Sequence, residues 1–73
     1  MKYAIEQRLR MIDFLLGEYG YVNRGAIMDF FGIGPATATR DFTAYKKLQP
    51  GMVVYDGGNK AYYRTQTFQK KWV

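Results

Sequence analysis

The segment Asn23–Phe42 constrains the fold of this chain more than any other part of the sequence. Asn23 is a good helix N-cap, and apolar residues recur at helical spacing over residues 24–31. The turn Gly32-Ile33-Gly34 follows, and Pro35 suits the first position of a second helix, where a missing N–H costs nothing. Two short helices joined by a tight glycine-containing turn are the layout of a helix-turn-helix, whose second helix can enter the DNA major groove.

Helical spacing also predicts a helix before this motif and gives the bounds of the two helices within it. Apolar residues recur at helical spacing from Ile5 to Leu16 and predict a helix over about 3–16, ended by Gly17 and Gly20. Tyr21-Val22 can form a brief strand. The helices of the motif are predicted over about 24–31 and 35–48.

The sequence changes period after the third helix. Two β-prone runs flank Asp56-Gly57-Gly58-Asn59-Lys60 and predict a hairpin over about 52–64, with the glycines supplying positive φ values. A basic, aromatic tail occupies 65–73, where Thr67 could cap a last helical turn. The fold class is therefore mainly α with a small β-hairpin: a winged helix-turn-helix of three helices plus a wing, as a single domain over residues 1–73.

Composition excludes several classes of protein. The chain has no cysteine and no histidine, which excludes disulfides and zinc fingers and removes the commonest nucleophile and acid–base groups. The six carboxylates are scattered along the chain, so we expect no enzyme activity, no cofactor and no metal. No apolar run approaches the roughly 20 residues that span a bilayer. We expect no membrane contact and a cytoplasmic location in a bacterial or phage-infected cell.

The net charge of +5 is concentrated in the second half of the chain. Residues 1–34 hold four cationic side chains and four carboxylates, whereas residues 35–73 hold seven and two. A polyanionic partner facing the third helix and the wing explains this distribution, although ordinary solubilising charge would also do so.

The third helix carries the side chains that suit base recognition. Ala38, Phe42 and Tyr45 are expected to face the core. Arg40 can bond guanine O6 and N7 together, and threonine offers a hydroxyl or a methyl group to a base edge. The predicted base contacts are Ala36, Thr37, Thr39, Arg40 and Thr43. The alternative is that this is merely a solvated helix face.

The predicted phosphate and wing contacts are Arg24, Lys46, Lys47, Asn59 and Lys60. Each has a plainer alternative. Arg24 can be a solvated first-turn residue, the two lysines can offset the helix dipole, and the wing-tip pair can belong to an ordinary hairpin turn. The hairpin tyrosines favour packing over a stacking platform for single strands. Phe68 and Trp72 favour covering the core over forming a dimer patch.

A family resemblance covers nearly the whole chain. It rests on Val22-Asn23-Arg24, Phe30-Phe31-Gly32-Ile33, the run from Ala38 to Tyr45, Pro50-Gly51, Val54-Tyr55-Asp56, Tyr62 and Phe68. The sequence resembles the N-terminal winged helix-turn-helix of the WYL-domain repressors associated with bacterial anti-phage defence systems of the BREX and CBASS types, and more distantly DeoR-type winged helices. The resemblance implies a dimeric repressor on an inverted repeat. Family members continue into a ligand-sensing domain and a dimerisation segment, so we expect either a fragment or a free-standing regulator.

The sequence thus predicts a sequence-specific binder of double-stranded DNA that regulates transcription, as a repressor and a homodimer. Two alternatives remain open. One is a small protein-interaction module that uses the same scaffold as an inhibitor. The other is a non-specific architectural DNA binder.

Overall fold

Three helices and one small sheet make up the computed structural model, which describes residues 2–72. The elements are α1 (Tyr3–Tyr19), β1 (Tyr21–Val22), α2 (Arg24–Phe31), α3 (Pro35–Leu48), β2 (Val53–Asp56) and β3 (Ala61–Arg64). The strands pair antiparallel in the order β1-β3-β2, so the last strand is central. This architecture confirms the mainly α, winged helix-turn-helix fold.

Helix α1 is three residues longer than the sequence predicts. It ends at Gly20, whose φ of 84° is the left-handed conformation that glycine adopts at a helix C-terminus. Gly17 was expected to help end the helix, and that expectation is wrong. Its propensity deficit of about 1 kcal/mol is offset by tertiary contacts. The Arg64 guanidinium donates to the Gly17 carbonyl oxygen at 2.9 Å, and a Cβ at Gly17 would lie 3.0 Å from the Lys70 side chain.

The helix-turn-helix is built from local capping interactions. The Asn23 side chain accepts the Ala26 N–H at 2.9 Å and caps α2, as the sequence predicts. Gly32 ends α2 with a left-handed φ of 65°, and Gly34 with Pro35 begins α3. Ile33 lies half-buried between the glycines and packs against the core. The turn between α2 and α3 is therefore anchored to the core through Ile33.

The core joins all three helices to the sheet. Phe42 on α3 stacks on Tyr62 of β3 with ring centroids 4.0 Å apart and an interplanar angle of 2°. Phe68 and Trp72 are half-buried and pack against the same core, so the tail covers it. The buried apolar cluster consists of Leu9, Ile12, Leu16, Val22, Ile27, Phe42, Tyr45 and Val53.

The wing turn differs from the expected one in its backbone. The positive φ lies at Lys60 (53°), the only non-glycine residue among 2–72 in that region, and at neither wing glycine. The Asp56 carboxylate accepts the backbone N–H groups of Gly58 at 2.9 Å and Asn59 at 3.3 Å. An aspartate that bonds the backbone two residues further on forms a turn through its side chain. The expectation that Gly-Gly and Gly-Asn supply the positive φ values is therefore wrong, since neither the two glycines nor Asn59 has one.

The C-terminal segment, defined here as residues 65–72, is ordered without being helical. Thr65 donates its hydroxyl to the Gly51 carbonyl oxygen at 2.7 Å. Thr67 donates to the same oxygen at 3.2 Å and does not cap a helix, which corrects the expectation from sequence. Further along, the Gln49 side chain donates to the Gln69 carbonyl oxygen at 2.6 Å. These bonds hold the segment against the end of α3.

Candidate nucleic-acid interface

The outward face of α3 carries four of the five predicted base-contact residues. Its inward face is formed by Ala38, Asp41, Phe42 and Tyr45, which are all buried. Thr37 is half-buried because positions 37, 41 and 45 follow one another at intervals of four and share a stripe of the helix. Thr37 was expected on the outer face with the other predicted base contacts, but it lies at the flank of that face. The exposed members are Ala36, Thr39, Arg40 and Thr43.

The hydroxyl groups of the two exposed threonines each have a defined hydrogen-bond partner. The Arg24 guanidinium at the start of α2 donates to the Thr39 Oγ1 at 2.9 Å. The Thr43 hydroxyl donates to the Thr39 carbonyl oxygen at 3.1 Å. Thr39 thus keeps its own hydroxyl hydrogen to donate outward, whereas Thr43 offers an oxygen lone pair and a methyl group. The two side chains can therefore read different base edges.

A cleft between the wing and the start of α2 gathers three of the predicted phosphate contacts. It has a volume of about 340 Å³ and is lined by Arg24, Asn59 and Lys60 together with Asn23, Gly25, Met28 and Tyr55. Arg24 and Lys60 place two cationic side chains on its walls, and no carboxylate is among the lining residues. The cleft therefore suits an anion. Lys46 and Lys47 are exposed in the last turn of α3, outside this group.

The tip of the wing is organised by a carboxylate. The Asn59 side chain donates to the Asp56 Oδ2 at 2.8 Å. That bond, followed by the one from the Asn59 backbone N–H, lowers the pKa of the Asp56 carboxyl below its usual value of 3.8. Asn59 consequently has a structural role in the turn, which is the plainer alternative that the sequence offered, and only part of its amide is free to contact a ligand.

An ion pair that sequence patterns did not reveal ties α3 to α1. Arg8 Nε lies 2.6 Å from Asp41 Oδ2, and Arg8 Nη2 lies 3.2 Å from Asp41 Oδ1. The Arg8 side chain is 14% exposed and the Asp41 side chain 4%. The two residues are 33 positions apart, so no local periodicity could have paired them. This bidentate contact fixes the helix that carries Arg40, one residue away.

A second buried carboxylate, Asp13 on α1, contacts α3 and the C-terminal segment together. The Tyr45 hydroxyl donates to Asp13 Oδ1 at 2.5 Å, and the Lys71 and Trp72 backbone N–H groups donate to its two oxygens at 3.0 and 3.1 Å. Burial, and then the bond to Asp13, raises the pKa of the Tyr45 hydroxyl well above its usual value. Local sequence patterns could not reveal this cluster either, because its members lie 32 to 59 positions from Asp13 along the chain.

Two negative findings apply to residues 2–72. No group of three or more metal-ligating side chains comes together there. Within that range, no helix has both the length and the apolar character that a membrane-crossing helix requires.

The fold and the outward face of α3 define a winged helix-turn-helix domain of the kind that transcriptional regulators contain. Residues 4–73 match the family described as the BrxR transcriptional regulator winged helix-turn-helix domain, and the chain belongs to that family. The resemblance found in the sequence is thereby confirmed.

Proteins named DNA-binding transcriptional repressor CapW are similar to this chain. The similarity is 38% identity over 68 residues for the protein of Escherichia coli strain KTE188 and 37% over 68 residues for that of Pseudomonas aeruginosa. The Stenotrophomonas maltophilia protein is 32% identical over 69 residues. These alignments cover 93–94% of this chain but only 23% of each relative, so the chain spans about a quarter of their length.

Proposed function

We propose that this chain binds double-stranded DNA sequence-specifically and serves as the DNA-binding domain of a transcriptional repressor. The observation that carries the proposal is the outward face of α3, where Arg40 is exposed beside two threonines. In the helix-turn-helix geometry this helix lies in the major groove. The family and the names of the relatives support the same conclusion.

Each part of the surface then has a distinct task. Arg40 bonds guanine, Thr39 donates a hydrogen bond, and Thr43 contacts a thymine methyl or a base donor. The cleft at Arg24 and Lys60 holds backbone phosphates beside the groove. Lys46 and Lys47 add phosphate contacts at the far end of α3. Repression follows from occupying a promoter.

Two copies acting together account for tight binding. A single module of this kind buries roughly 600–1,000 Å² of protein surface, which is usually too little for high affinity. We therefore propose a homodimer on an inverted repeat, with half-sites about one helical turn or a multiple apart.

Selection of bound duplexes from a random pool, followed by affinity measurements at several salt concentrations, tests the proposal. Arg40→Ala should weaken binding to the selected duplex by roughly 5- to 150-fold and relax the preference at one base pair. Lys46→Ala should weaken binding to all duplexes and lower the salt slope by about one. Lys2→Ala is the matched control, because it removes one positive charge from an exposed side chain at the start of α1.

The outcomes separate the rival functions. An inverted repeat among the selected duplexes supports the dimer, and a stoichiometry of two chains per duplex would confirm it. Tight, salt-dependent binding without sequence preference would indicate architectural binding. Equal affinities for Arg40→Ala and Lys2→Ala would contradict major-groove recognition by α3.

A protein-interaction module is the second candidate, and one observation favours it. Phe30 is 68% exposed and Phe14 45% exposed beside a groove between α1 and α2. Large exposed aromatics are typical of protein contacts. If the regulatory activity in cells survives the double change Arg40→Ala with Thr37→Ala but is lost on Phe30→Ser, this function replaces DNA binding.

A further inference from the structure

Asp13 is a fully buried carboxylate that three separate parts of the fold share. It belongs to α1, and its donors are the Tyr45 hydroxyl of α3 and the Lys71 and Trp72 backbone N–H groups of the C-terminal segment. A buried carboxylate needs such donors, because an unsatisfied charge in the interior is costly. The DNA-binding surface described above does not include any of these groups.

The C-terminal segment closes over this carboxylate. Trp72 is half-buried against the core, and the Arg10 guanidinium lies 5.4 Å from its ring centroid. The Lys70 and Lys71 ammonium groups lie over the Phe14 and Trp72 rings, at 5.4 and 5.6 Å. Lys70 is therefore directed towards an α1 side chain and Lys71 towards Trp72 of the segment itself. The segment contacts Asp13 through backbone groups alone.

The three bonds depend on one another for a physical reason. When the segment lifts away, water can reach Asp13 and replace missing donors. When the segment is docked, water is excluded and only the protein can supply them. Loss of the Tyr45 hydroxyl would thus raise the cost of docking the segment. Loss of the segment would leave the Tyr45 hydroxyl as the one protein donor among these three and expose its bond to competition from water.

We propose that Asp13 is a positioning residue that couples docking of the C-terminal segment to the placement of α3, so that DNA affinity depends on a segment that does not touch DNA. Tyr45 lies on the same helix as Arg40, and a short helix moves as a unit. Whatever displaces residues 71–72 would therefore shift the outward face of α3. The coupling between segment and helix concerns the free protein, whereas its effect on affinity rests on the proposed function.

Amide hydrogen exchange of the DNA-free protein tests the coupling directly. Tyr45→Phe removes one hydroxyl and touches neither backbone group of the segment. It should speed exchange at the Lys71 and Trp72 amides by roughly fivefold or more, beyond any change at the core amides that report global unfolding. Tyr62→Phe is the control, because it removes a hydroxyl from a half-buried tyrosine that packs against α3 through Phe42 rather than against Asp13. Unchanged exchange at both amides, or a uniform increase at all amides, would overturn the proposal.

A second measurement tests the consequence for DNA. Asp13→Asn keeps an oxygen for Tyr45 but turns an N–H group towards that of Trp72. Affinity for the selected duplex should fall by roughly fivefold, with the salt slope unchanged because no phosphate contact is lost. Full affinity in Asp13→Asn would overturn the link to DNA. If the unaltered protein binds no duplex, the proposed function fails, and the exchange result still decides the coupling.

Discussion

Removing either partner of the Arg8–Asp41 ion pair should destabilise the domain, and the loss of unfolding free energy should differ between the two substitutions. The Arg8 side chain is 14% exposed and the Asp41 side chain 4%. Without Asp41, the long arginine can turn its guanidinium to water. Without Arg8, the Asp41 carboxylate stays in the interior with no cation. The structure therefore predicts that loss of the arginine is the costlier change.

The expected magnitudes follow from this geometry. Breaking a fully buried ion pair on one side costs about 3–5 kcal/mol. We expect about 3 kcal/mol for Arg8→Met, which keeps the aliphatic stem, and about 1–2 kcal/mol for Asp41→Leu. The double variant should cost no more than about 1 kcal/mol, since it leaves no unpaired charge. A domain of this size is stable by roughly 4–11 kcal/mol, so the differences are large enough to measure.

Urea unfolding followed by circular dichroism and by fluorescence of the single tryptophan, Trp72, provides the assay. The helix preference of leucine over aspartate, about 0.5 kcal/mol, occurs in both the single and the double variant and cancels in the coupling energy. Glu6→Gln is the control, because the exposed pair of Glu6 with Arg10 should contribute only about 0–0.5 kcal/mol. A larger cost for Asp41→Leu than for Arg8→Met, or a double variant that costs the sum of both, would refute the reasoning.

Three further predictions concern the turn between α2 and α3, the Tyr45 hydroxyl and the wing turn. Gly32→Ser should cost about 1 kcal/mol because residue 32 has a φ of 65°. Gly34→Ser should instead stabilise by roughly a few tenths of a kcal/mol by capping α3 from an extended backbone, and thermal unfolding of both variants checks this. The raised pKa of Tyr45 means that its contribution is complete below its usual value of 10.0 and is lost as pH rises above it, so unfolding free energy should fall more steeply at alkaline pH than in Tyr45→Phe. The lowered pKa of Asp56 means that the wing turn should loosen as pH falls below 3.8; amide chemical shifts of residues 58 and 59 that stay constant would contradict this.

Most of the fold could be predicted because its signals are local. Asn23, Gly32 and Pro35 each act on the backbone within a few residues, and they set the ends of α2 and the start of α3. The errors arose where distant contacts decided the outcome. Gly17 remains helical because residues 64 and 70 lie against it, and that contact is not visible in its neighbours.

The candidate site could be predicted in outline for a similar reason. Helical periodicity identified the outward face of α3, and only Thr37 at its flank departs from the expected exposure. The buried hydrogen bonds that join α3 to α1 behind that face could not be predicted. Asp13 and Asp41 looked like ordinary helix carboxylates, since their partners lie 32 and 33 positions away. Whether the outward residues contact DNA stays a prediction for the experiments above.

The position of β3 in the middle of the sheet has a consequence for synthesis of the protein. All three helices leave the ribosome before the strand that joins β1 to β2, and Asp13 receives its last donors only when residue 72 appears. A nascent chain would hold a helix-turn-helix whose apolar side has no sheet to cover it. Cooperative folding is therefore expected to await the final residues of this segment, and a chain stalled before them would be a target for chaperones and proteases.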